Sequence, residues 1–71
     1  MEMKNENEVT RFMYYIFNRF RIDESRKLFG ENLGEHIFRK LLLHHNGLKW
    51  YAELDKACRQ KLVDRANELY G

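Results

Sequence analysis

The stretch RFMYYIFNRF, residues 11–20, decides the fold. Joined to Val9, it sets Val9, Phe12, Met13, Ile16, Phe17 and Phe20 at the spacing i, i+3, i+4, i+7, i+8, i+11. That spacing belongs to one face of a helix. At about 100° per residue these side chains share an arc of about 140°. The pattern predicts a first helix over 6–21, with Phe12, Phe17 and Phe20 turned into a core. Tyr14 and Tyr15 then fall on the opposite side, beside Arg11, Asn18 and Arg19. Arg11 and Arg19 flank Tyr15 one turn either side and resist burial, so Tyr15 is expected to face water.

Downstream, DESRKLFG at 23–30 reads as a short helix, with Asp23 as its N-cap and Gly30 just past its end. Asn32 and Glu35 have the spacing of a capping box. They would open a helix striped by Leu33, Ile37, Phe38, Leu41 and Leu42, closed by Asn46-Gly47 with His44 and His45 in its last turn. From residue 48 onward the propensity is helical, but the apolar stripe shifts. Trp50 and Leu54 point one way, while Leu62, Ala66 and Leu69 lie about 100° round. A break at Asp55 reconciles them, giving a short helix over 49–54 and a last helix over 56–70. No segment alternates with period 2, so no strand is expected. The architecture is all-α, four to five short helices around a single aromatic-rich core. That core is expected to hold Phe12, Ile16, Phe20, Phe38, Leu41, Leu42, Trp50, Leu54, Leu62 and Leu69.

Seventy-one residues make one small helical domain, with residues 1–5 expected to fray. Aromatics form 14 % of the chain, and that richness compensates for its small size. A single cysteine, Cys58, allows no internal disulfide. The opening MEMKNENE carries no apolar run of the kind a signal peptide needs, and no apolar stretch is long enough for a membrane span. The expected location is cytoplasmic, without membrane contact. Net charge is +2, but residues 1–8 carry three acids and one base whereas residues 9–49 carry eight bases and four acids. This excess is too modest for a dedicated nucleic-acid binder.

The face made by Arg11, Tyr14, Tyr15, Asn18 and Arg19 is the leading candidate for a protein interface, because Tyr and Arg bring large area and hydrogen bonding together. Arg21, Arg26, Lys27, Arg39 and Lys40 form a candidate patch for phosphate or an acidic partner. A helix-turn-helix reading of 23–46 is weak, since the second helix offers few of the residues that read base edges. The histidines His36, His44 and His45 lack metal-ligand spacing, so no metal and no cofactor are expected. His45, central in the apolar arc of its helix, is expected to be partly buried and hydrogen-bonded. Cys58 reads as a small buried hydrophobe. No paired carboxylates, phosphate-cradling loop or Cys–His pairing marks an active site.

The expected function is therefore non-enzymatic: an accessory or regulatory protein acting through a protein–protein surface, with a protein partner or a homodimer, and no small-molecule substrate. The alternative is a nucleic-acid-associated protein using the basic first two thirds of the chain.

Overall fold

The computed structural model describes residues 6–71. Among them are five helices and no strand: α1 (Glu6–Asn18), α2 (Ile22–Phe29), α3 (Glu31–Leu43), α4 (Gly47–Glu53) and α5 (Lys56–Tyr70). The fraying expected of residues 1–5 lies outside the described residues. Helix α1 packs on α5, α2 packs on α3, and α3 touches α4. No described helix is long and apolar enough to cross a membrane.

Local chemistry sets the helix ends. Helix α1 stops at Asn18, short of the expected residue 21. The backbone N–H groups of Arg19 and Phe20 both donate to the Tyr15 carbonyl. The Arg21 guanidinium then closes the end by donating to the carbonyls of Phe17 and Phe20. Helix α2 starts from an extended Arg21 with no side-chain cap, so Asp23 is not its N-cap. Asp23 stands with Glu24 in the first turn, where both face the positive end of the helix dipole.

Gly30 ends α2 and begins α3 at once, with φ of 90°, a conformation that disfavours residues bearing a Cβ. The Asn32–Glu35 capping box does not form, and α3 begins two residues earlier, at Glu31, with no side-chain cap. Glu35 is drawn sideways instead, to Arg26 at 3.0 Å and Arg39 at 2.9 Å. Asn46 opens α4 rather than closing α3. Its side-chain oxygen accepts from Leu48 N at 2.9 Å and Lys49 N at 3.2 Å. Asp55 caps α5 as expected, accepting from Cys58 N at 3.0 Å.

Phe20 sits at the middle of the core, its ring within 6 Å of three others: Tyr15 at 5.8 Å, Phe38 at 5.9 Å and Trp50 at 5.6 Å. Phe12 meets Tyr51 edge-on at 4.8 Å. The Trp50 indole N–H donates to the Ile37 carbonyl at 3.1 Å, so the one tryptophan is buried without an orphaned donor.

Of the expected core, Phe12, Ile16, Phe20, Trp50, Leu54 and Leu62 are buried, and Phe38, Leu41 and Leu69 pack on its edge. Leu42 does not belong to it and is 64 % exposed. Tyr15, Ile37, Tyr51, Val63 and Ala66 complete the interior. Where α2 meets α3 the backbones come very close. A Cβ on Gly34 would stand 2.5 Å from the Arg26 Cα, and the buried Ser25 hydroxyl donates to the Gly34 carbonyl at 2.6 Å.

Candidate interaction surface

Helix α1 is rotated relative to the face its hydrophobicity favours. Tyr15 is fully buried, whereas Phe17 is 65 % exposed. Both expectations for these two residues are overturned, and one interaction explains the rotation. The Tyr15 hydroxyl donates to Glu24 Oε2 at 2.7 Å, and Arg65 Nε donates to the same oxygen at 2.7 Å. Arg65 Nη1 also reaches Glu68 at 2.7 Å. The Glu24 and Arg65 side chains are only 10 % and 20 % exposed. Helices α1, α2 and α5 are thus tied at one partly buried carboxylate. Burial pushes the Glu24 carboxyl up, but the hydrogen bonds from Arg65 and Tyr15 outweigh it and hold it below the usual range. Burial first, then the bond to Glu24, drives the Tyr15 phenol far up, so it stays protonated. Pairing with a phenylalanine would leave that carboxylate short of a donor, so the more polar ring goes inward.

The other members of the expected Tyr/Arg face scatter. Tyr14 is 57 % exposed and stacks on Tyr70, with centroids 6.2 Å apart and planes 27° from parallel. Half-buried Arg11 donates from Nε to Asn67 at 3.0 Å. Asn18 is exposed and folds back on the Tyr14 carbonyl at 2.9 Å, and Arg19 is exposed beyond the helix end.

The basic residues of the expected patch have different surroundings. Arg21 stands beside a groove between α1 and α3, and Lys27 lines another hollow with Lys61 and Arg65. Arg26 and Arg39 both hold Glu35, whose carboxyl they keep below the usual range. Lys40 is half-buried, and its carbonyl accepts from His44.

What emerges instead is a continuous apolar surface that the reading of the sequence missed. One depression of about 320 Å³ follows the outer side of α1, lined by Val9, Thr10, Met13, Tyr14, Phe17 and Asn18. A second, of about 420 Å³, lies between α1, α3 and the start of α4. Its apolar lining includes Ile16, Phe38, Leu41 and Leu42, and Arg21, His44 and His45 line it too. Phe17 borders both and joins them. The available signal was in the opening stretch itself. Helix α1 carries more large apolar side chains than one face can bury, so some had to be outside.

His44, not His45, is the anchored histidine; His45 is exposed. His44 Nδ1 lies 2.7 Å from the Lys40 carbonyl and Nε2 lies 3.2 Å from Glu53. Both nitrogens can donate at once only in the imidazolium. The Lys40 carbonyl first, and then Glu53, accordingly raise its pKa. Cys58 is half-buried, and burial followed by the Asp55 carboxylate pushes its thiol up, away from the reactive thiolate. Among the described residues no group of three or more His, Cys, Asp or Glu side chains could hold a metal ion. Comparison with protein-family models, with curated proteins and with solved structures gives no match.

Proposed function

We propose that this chain is a small non-enzymatic accessory protein whose working surface is the apolar face centred on Phe17. One observation carries the reading: α1 buries Phe12, Tyr15 and Ile16 in the domain's own core, yet leaves Phe17 and Tyr14 mostly exposed on its outer side. A helix with two apolar sides has two sets of neighbours. A large exposed aromatic at the junction of two depressions is the usual anchor of such a contact. The perturbed groups support the same view. Tyr15 and Cys58 are both shifted toward their neutral forms, the opposite of what a nucleophile needs. The nucleic-acid alternative has weaker support, because Glu35 takes up two of the arginines on which it depends.

Photo-cross-linking tests the surface. A benzophenone side chain at position 17 should give discrete products in a cell extract, suppressed by excess wild-type chain but not by a Phe17→Ser chain. The same group at exposed Ala57 on α5 should not give them. Identical products from both positions, or equal competition by Phe17→Ser, would overturn the proposal.

A further inference from the structure

We infer that the occupant of the Phe17 surface is a second copy of this chain, its α1 laid antiparallel on α1 about a two-fold axis between Met13 and Tyr14. The inference rests on the reading of that surface and names its partner.

The charges along α1 argue for it. Glu6 begins the helix, seven residues before Met13 and eleven before Phe17, so it stands on the same outward strip. Arg19 and Arg21 stand exposed just beyond the other end, and Arg21 is fixed there by its bonds to the Phe17 and Phe20 carbonyls. The strip is therefore acidic at its start, apolar in its middle and basic past its end. An antiparallel copy matches this order with itself. Glu6 comes opposite Arg21 of the other copy, Thr10 opposite Phe17, and Met13 opposite Tyr14. A parallel copy would set Glu6 on Glu6 and Arg21 on Arg21. Two-fold self-complementarity of this kind is what a closed dimer requires. The helix dipoles also oppose one another favourably in that arrangement. Thr10, the smallest side chain on the strip, leaves room for the incoming Phe17 ring. Exposed charge pairs add little affinity, so the rings hold the dimer and the charges fix its direction.

Sedimentation equilibrium of the full chain at low salt tests this. The wild type should dimerise with concentration, and Phe17→Ser should weaken the dimer by about a hundredfold or more, since two rings are lost per dimer. Glu6→Arg and Arg21→Glu should each weaken it about tenfold. An equimolar mixture of those two variants should recover the wild-type affinity, because each charge then meets its opposite. Cysteine cross-linking gives a readout independent of whether Arg21→Glu folds. In a Cys58→Ala background, Tyr14→Cys should oxidise to a disulfide-linked dimer and Glu6→Cys should not.

A wild type that stays monomeric while the position-17 cross-links remain competed overturns the second copy and leaves the surface standing. A dimer undiminished by Phe17→Ser overturns both. Cross-linking through position 6 rather than position 14, or a mixture no stronger than its parents, overturns the antiparallel arrangement.

Discussion

Removing the Tyr15 hydroxyl leaves Glu24, at 10 % exposure, with Arg65 as the remaining donor of that pair of bonds. Tyr15→Phe should therefore cost about 1 kcal/mol in urea unfolding. Tyr15→Ser also empties a ring-sized volume beside Phe20 and should cost about 3–5 kcal/mol. Phe17→Ser, two residues on, should stay within about 0.5 kcal/mol of the parent. A harmless Tyr15→Ser would show that this ring is not part of the core. The contrast runs against hydrophobicity, and this explains why sequence reading exchanged the two positions. Phe is the more apolar ring, and Arg11 and Arg19 beside Tyr15 suggested water. The deciding partners, Glu24 and Arg65, lie 9 and 50 positions away, beyond any local pattern. Helix position set Tyr14 and Tyr15 on the same outward side, and of the two it is Tyr14, the one the flanking arginines did not favour, that is exposed.

Between elements, the closest approach is the α2–α3 crossing at Ser25 and Gly34. Gly34→Ala would drive a methyl group into backbone atoms of Ser25 and Arg26, which cannot swing aside as a long side chain would. The helices must separate, at a cost of about 1–3 kcal/mol in chemical unfolding. An unchanged stability would place this contact elsewhere. Nothing local in LGEH announces it, because a glycine within a helix signals only reduced propensity. Element boundaries were readable where chemistry is local: Gly30 after α2, Asp55 before α5, and the break between α4 and α5. They were misread where a side chain had two employers. Asn46 serves the helix that follows it, and Glu35 answers two arginines instead of a cap.

For the molecule as a whole, the shifted groups predict a dome of stability against pH. Glu24, Glu35 and Asp55 titrate below their ordinary values. Their stabilisation is present above about pH 4.5 and is lost as pH falls through the lower folded values. His44 is raised, so its contribution is complete below about pH 6.5 and fades as pH rises through its folded value. Tyr15 adds a further loss above about pH 10, where the unfolded phenol ionises and the folded one resists. Urea midpoints should therefore peak between about pH 4.5 and 6.5. Replacing His44 by Gln should flatten the decline just above pH 6.5, and a decline that is unchanged would remove His44 as its source. The all-α class and the aromatic core were visible in composition and period. The apolar surface around Phe17 was legible only in part: one depression is lined by α1 alone, whereas the other joins α1 to α3 and the start of α4, which no periodicity relates.

A joint of one residue has a consequence for how this chain can vary. Gly30 alone separates the last residue of α2 from the first of α3, so it fixes the rotational phase of one helix against the other. Inserting a single amino acid there would turn α3 by about 100°. Ile37 would leave the interior, and a bulkier residue would replace Gly34 at the crossing. Point changes can drift along both helices, but this joint tolerates no change of length.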